Sequence, residues 1–253
     1  MNNILSIDLE SWVHFYCVLF GKNSIRDRKR ADNNHIVYAT TRILDLLDKY
    51  RQKSTFFVLG EIFDWYPGLI RKIKQRGHEI GYHGHNHSNM TDRKFLAQQV
   101  RKSSKFIRKF KPKGFRPPNM RITEDLIACL KKWGFTYSSS TYGKFETRRA
   151  IDGIKEFPVP LFGGGYSISL LGTRIISNLI NRLNRRGIPI IIFFHPWQLY
   201  YTPEIGSTSF KIKVLLRKPI YFPYTKNILT TVIKLMKRFR FKSFKDEMKR
   251  YPL

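Results

Sequence analysis

The sequence predicts a parallel α/β fold, open or closed into a barrel, in one domain spanning all 253 residues. Three observations predict it. Short apolar runs bounded by glycine or proline alternate with stretches whose apolar residues recur at helical spacing. Side chains able to do chemistry fall just after the predicted strands, which is where sites assemble in parallel α/β folds. A hydrophobic content of 42%, with 15% aromatic residues, supplies a substantial core and argues against disorder.

Residues 4–9 are the first predicted strand. Residues 13–35 read as a long irregular loop, apolar only at Cys17-Val18-Leu19-Phe20 and basic from 26 to 30, and a loop of that length is usually functional or poorly ordered. Apolar residues at 36, 37, 43, 44, 46 and 47 predict an amphipathic helix over 36–50, followed by a buried strand over 55–60. Pro67 and Gly77 bracket a helix over 68–76. A strand over 77–82 then runs into Gly84, whose backbone freedom permits a turn. Phe95, Leu96, Val100 and Ile107 give the helix over 92–109 its core face, and a short strand over 114–116 stops at Pro117-Pro118.

Thr123 reads as an N-cap and Gly134 as the residue past the end of the next helix, with a strand over 135–138 after it. Residues 141–170 read as glycine-rich and irregular apart from a strand at 155–158. A basic helix over 173–186 ends at Gly187, and 188–194 is the most apolar strand of the chain. A loop to about 225, a helix over 227–238 and a closing segment over 241–244 complete the order, with no internal repeat.

Charge is the unusual feature: 47 Lys+Arg against 18 Asp+Glu, a formal net charge of +29. Residues 208–253, read as the basic end of the same domain, hold thirteen Lys/Arg and two Asp/Glu. Such a surplus attracts polyanions, whether nucleic acid, anionic lipid headgroups or an acidic glycan. No aromatic-interleaved recognition motif makes nucleic acid a specific target. Two cysteines, Cys17 and Cys129, write no disulfide framework. The first residues lack the charge and apolar pattern of a leader, and no run approaches the ~18 apolar residues of a membrane span. The expected location is the cytoplasm, with peripheral contact at an anionic membrane surface open to so basic a chain.

The chemistry concentrates at strand ends. His83, His85 and His87 follow the 77–82 strand, and histidines four apart across a turn can converge on one ion. Asp8 and Glu10, two apart at the end of the first strand, project to one face, so that one can bind an ion while the other accepts a proton. Arg116 and His195 end two further strands. His85 points the other way along the turn if 83 and 87 converge, and His78 reads as structural.

In this order, Ser6-Ile7-Asp8-Leu9-Glu10, Gly77-His78-Glu79-Ile80 with His83-Gly84 and His87, Phe115-Arg116-Pro117-Pro118 and Phe193-Phe194-His195-Pro196-Trp197 resemble the motifs of the polysaccharide deacetylases of carbohydrate esterase family 4. More narrowly they resemble the exopolysaccharide and allantoinase-like branch, whose first motif is Asp-x-Glu or Asp-x-Asp. Glu156-Phe157-Pro158 and Gly163-Gly164-Gly165-Tyr166 extend the likeness over nearly the whole chain. The resemblance implies a deformed (β/α) barrel of about seven strands, a divalent metal, most simply zinc, and hydrolysis of the N-acetyl group of a sugar. By position it implies Asp8 as catalytic base, Glu10, His83 and His87 as metal ligands, Arg116 as partner of the base and His195 as general acid. The implied substrate is an N-acetylated amino sugar of glycan biosynthesis, nucleotide- or lipid-linked. A cyclic-amide hydrolase of the allantoinase type, and a basic protein binding membrane or polyanion, are the alternatives. Two positions depart from the pattern. Tyr137-Ser138-Ser139-Ser140 stands where relatives carry Tyr-Asp-Ser-Ser, with Asp152 a candidate substitute, and Glu10 adds a methylene that shifts the ion by about 1 Å.

Overall fold

The computed structural model describes residues 2–21 and 24–250; Met1, residues 22–23 and residues 251–253 lie outside the described residues, so the ends of the expected domain and part of the expected 13–35 loop fall there. Nine strands are present among the described residues: β1 (Asn2–Leu9), β2 (Thr55–Val58), β3 (Glu79–Tyr82), β4 (Gly114–Phe115), β5 (Tyr137–Ser138), β6 (Arg149–Ile151), β7 (Ile154–Glu156), β8 (Ile191–Phe194) and β9 (Arg240–Lys242). They form one sheet in the order β6-β7-β5-β4-β3-β2-β1-β8, with β9 pairing β1 below β2. Every pairing is parallel except the β6–β7 hairpin.

The sheet curls into a barrel that no strand closes. A single bridge between Gly164 and Phe193 spans the seam between β8 and the segment after β7. Alternation along the strands sorts two cores. On β1, Leu5, Ile7 and Leu9 pack outward beneath the helices, whereas Ile4 joins Phe57, Phe157, Phe193 and Phe244 in the interior. Each of these interior rings is almost fully buried and contributes on the order of 2 kcal/mol by leaving water. Ser6 and Asp8, in phase with Ile4, face the same interior, so β1 changes from apolar filling to polar chemistry toward its carboxyl end.

Several expected boundaries move. The first part of the expected 13–35 loop is the helix Trp12–Phe20, capped by Ser11, and Arg28–Asp32 is a second, shorter helix. WVHFYCVLF carries no polar face to reveal a helical period, because Phe15 packs against Trp197 and Phe210 while His14 is buried against Trp65 and Glu61. The 55–60 strand ends at Val58, and Gly60 starts the helix Gly60–Trp65. The expected 92–109 helix divides at Ser103, whose hydroxyl accepts from Tyr82 at 3.1 Å. The 173–186 helix begins earlier, at Gly165, and is interrupted at Gly172, where φ is 68°. The loop expected up to 225 contains helices Pro196–Leu199, Pro203–Gly206 and Thr208–Arg217 and the 3-10 helix Pro219–Thr225. The closing segment is β9 followed by the helix Phe244–Arg250.

Candidate active site

At the carboxyl end of β1 the chain turns sharply, with Glu10 N–H donating to the Asp8 carbonyl at 2.9 Å, and both carboxylates are 3% exposed. The loop after β3 brings His83 and His87 to the same place. Glu10, His83 and His87 each offer a ligand atom, and these atoms all lie within 4.8 Å of one another. Two details hold the loop there. Gly84 has φ +90°, a backbone conformation that strains any residue with a Cβ, so the turn favours glycine. The first free N–H groups of the Gly60–Trp65 helix then pin the loop, Gly60 donating to the Gly84 carbonyl at 2.9 Å and Glu61 to the His85 carbonyl at 2.8 Å.

The donor set suits a metal ion. His83 Nδ1–H donates to the Arg116 carbonyl at 2.8 Å, which leaves the Nε2 lone pair free for a cation. Glu10 Oε2 lies 2.7 Å from His87 Nε2, yet it is buried without a hydrogen-bond partner, as is His87 Nδ1. A carboxylate oxygen facing an imidazole nitrogen without aligned hydrogen bonding is an arrangement that a shared cation resolves. Burial would raise the Glu10 pKa, but the neighbouring His87 and His195 outweigh it and hold the carboxyl well below its usual value. Burial pushes His83 down to about 4, keeping it neutral as a ligand must be.

His85 stands outside this set. Its ring faces Ser103 Oγ at 3.2 Å, and its backbone N–H donates to Gln99 at 3.0 Å. Behind His87 stands His14, 6.2 Å between ring centroids, stacked on Trp65 and bonded through Nε2 to Glu61 at 3.2 Å. His78 is buried at the far end of β3.

Beside the metal-type cluster lies a fully buried ion pair. Arg116 Nη1 donates to Asp8 Oδ1 at 2.8 Å and to Ser6 Oγ at 2.9 Å. Its Nε donates to the Ser139 carbonyl at 3.0 Å and its Nη2 to Ser139 Oγ at 2.9 Å. The guanidinium also lies over Phe57 and Phe193, at 4.4 and 4.9 Å from the ring centroids, so it caps the barrel interior while aiming at Asp8. With these donors satisfied, Asp8 keeps its second oxygen for a reactant.

His195 follows β8 and presents Nε2 to Glu10 Oε1 at 2.9 Å. Gln198 fixes the ring. Its Oε1 accepts from the His195 backbone N–H at 3.0 Å, which identifies that atom as the oxygen, and it accepts from Nδ1–H at 2.9 Å. Burial would lower the His195 pKa, but Glu10 and then Asp8 raise it above its ordinary value. Gln198 in turn lies against Gly165, where a Cβ would approach its Oε1 to 2.2 Å, which accounts for the last glycine of Gly163-Gly164-Gly165.

Asp152 is not the missing carboxylate: it sits exposed in the β6–β7 turn with φ 48°. Ser138 Oγ contacts Ser140 Oγ, and the buried carboxylate beside them is Glu156, paired in register with Ser138. Glu156 Oε1 accepts from the N–H groups of Ser140 and Thr141 at 2.7 and 2.9 Å and so sets the turn that carries Ser139 to Arg116. Sequence reading missed Gln198, Ser139 and Glu156 in these roles. Only Gln198 had a local signal, a glutamine three residues after a strand-end histidine and two after a proline, the spacing of a helix cap.

Residues 32–138 match the model of the Polysaccharide deacetylase family. The chain is similar to the peptidoglycan-N-acetylglucosamine deacetylase of Bacillus cereus, 36% identical over 101 residues, which is 38% of this chain and 47% of that protein. It thus spans about half the length of that relative. A structure from Mycobacterium smegmatis has the same fold, with TM-score 0.68 at 16% identity over 99% of this chain and 91% of that one. Puue allantoinase also shares it, with TM-score 0.64 at 14% identity over 99% and 91%. Residues 32–138, which carry His83, His87 and Arg116, are thus similar to the Polysaccharide deacetylase family, and the whole chain shares its fold with these two structures.

Proposed function

We propose that this chain is a metal-dependent carbohydrate N-deacetylase, removing the acetyl group from an amino sugar during glycan biosynthesis, within the exopolysaccharide branch whose first motif is Asp-x-Glu. The observation that carries the reading is the convergence of Glu10, His83 and His87 within 4.8 Å, flanked by the Asp8–Arg116 pair and by His195. The matching family and a relative that deacetylates N-acetylglucosamine of peptidoglycan support the substrate class.

Glu10, His83 and His87 would hold the ion, and two imidazoles with one carboxylate suit zinc. Such an ion supplies a polarised amide carbonyl and a more acidic water. In this reading Asp8 takes a proton from the attacking water through the oxygen that Arg116 leaves free, while Arg116 keeps the carboxylate ionised and oriented. His195, its ring fixed by Gln198, gives a proton to the amine nitrogen as the C–N bond breaks, and acetate and the free amine leave.

The test is acetate release from N-acetylated amino-sugar donors, soluble, nucleotide-linked and lipid-linked, with zinc added back after chelation. Activity should be lost on chelation, and Asp8→Asn should lower kcat by about 100-fold to 10,000-fold. Absence of release from every donor by the metal-loaded protein, with turnover of a cyclic ureide instead, would replace this reading with the allantoinase type.

A further inference from the structure

We propose that the corner between the Thr208–Arg217 helix and the Pro219–Thr225 3-10 helix is a docking surface for an anionic lipid bilayer, placed beside the mouth of the active site. The helix is anchored through Phe210 and Val214, which are buried among Phe15, Leu19 and Trp197. Its opposite face carries Ile212, Leu215 and Leu216, spaced three and four apart and 52%, 50% and 77% exposed. Ile220, 69% exposed, continues the face past the corner. Residues 215–220, Leu-Leu-Arg-Lys-Pro-Ile, are exposed without interruption. An apolar run this exposed is unusual on a protein surface and marks an interaction site.

Charge selects the occupant. Arg217 and Lys218 lie between the exposed leucines and Ile220, and residues 205–245 contain eleven Lys/Arg and no Asp or Glu. Apolar side chains interleaved with cations fit the boundary between headgroups and acyl chains of an anionic bilayer. A second copy of the chain fits poorly, because a two-fold contact would bring both copies of Arg217 and Lys218 into one interface with no acidic residue of 205–245 to offset them.

The position has a consequence for the site. The 3-10 helix that carries Ile220 also carries Tyr224, whose ring centroid is 6.3 Å from that of His195 and 5.3 Å from that of Tyr166. A bilayer held at the corner therefore lies beside the acid side of the pocket, where a sugar carried on a lipid would be presented. The surface stands on exposure and charge alone; only this last step rests on the deacetylase reading.

The experiment is co-sedimentation of the full chain with vesicles of phosphatidylcholine alone and of phosphatidylcholine with phosphatidylglycerol, at low and high salt. Binding is expected only to the mixed vesicles and should weaken with salt. The variant L215S/L216S/I220S should bind at least about tenfold more weakly with a nearly unchanged melting temperature, since all three residues are at least half exposed. Arg108→Gln with Lys109→Gln, removing two exposed charges from the Ser104–Phe110 helix, should retain binding. Equal binding by the apolar variant, equal loss in the charge control, or a wild-type dimer that the apolar variant splits would each overturn the proposal. Acetate release from a soluble donor is read on the same variants, so a failure of docking and a failure of catalysis are told apart.

Discussion

Two glutamates, Glu10 buried and Glu79 half-buried, stand at opposite ends of one sheet and are treated in opposite ways. Glu79, at the amino end of β3, accepts from Thr55 Oγ1 at 2.6 Å, Tyr137 OH at 2.9 Å and Lys245 N–H at 2.7 Å, and so ties β3 to β2, β5 and the last helix. Glu10, at the carboxyl end of β1, faces three imidazoles and leaves Oε2 without a hydrogen-bond partner. Burial pushes the Glu79 carboxyl up, whereas His87 and His195 hold Glu10 down against the same burial. A glutamate that serves the fold is met by donors. One poised for a cation is met by imidazoles.

The sharpest way to break this contrast is Glu10→Gln. Removing a direct ligand should lower zinc affinity by at least about 100-fold, beyond the loss typical of groups that only orient ligands. Calorimetric titration with zinc measures it. The metal-free protein should melt lower at neutral pH, because the carboxylate that His87 and His195 hold ionised is lost and His195 Nε2 is left without its 2.9 Å partner. Undiminished zinc binding by this variant would remove Glu10 from the ligand set.

How much of this was legible in the sequence follows from the range of the contacts. Strand ends were legible because glycine and proline punctuate them and because side chains two apart share a face, which placed Asp8 with Glu10 and separated His85 from His83 and His87. The bed of Arg116 was not legible: Phe57 and Phe193 come from β2 and β8, far away in the chain. Neither was the role of Glu156, whose partners Ser140 and Thr141 come close only once β5 and β7 pair. The helix Trp12–Phe20 escaped for a different reason, since a segment buried on nearly every face shows no period.

A second way to sharpen the contrast uses the histidines at the two ends of β3. Burial first, and then Lys53, push His78 down to about 4, and burial does the same to His83. His78 is structural, so its titration should register as stability. Its folded pKa lies below the unfolded value near 6.5, so the unfolded chain takes up the proton first as pH falls. The stability it contributes is complete above about pH 6.5 and is lost progressively toward pH 4, by on the order of 3 kcal/mol. Urea denaturation of wild type and His78→Gln across that range measures the difference, which should narrow toward acid pH. A constant difference would mean that His78 is not held neutral in the fold.

The smallest expected effect belongs to Glu79 itself. In Glu79→Gln the amide oxygen can keep the bonds from Thr55 and Lys245, and Tyr137 OH can turn to accept from the amide nitrogen. Stability at neutral pH should therefore change by about 1 kcal/mol or less. The pH dependence carries the sign. The folded pKa of Glu79 is raised, so the stability it contributes is fully present below the unfolded value of 4.5 and is lost as pH rises through the folded pKa. Wild type should hold its largest advantage over the glutamine variant in acid, and that advantage should shrink toward neutrality. Zinc affinity and acetate release should not move, because Glu79 lies at the opposite end of the sheet from the ligands. A variant that lost zinc while keeping its fold would break the division between the two ends of the sheet.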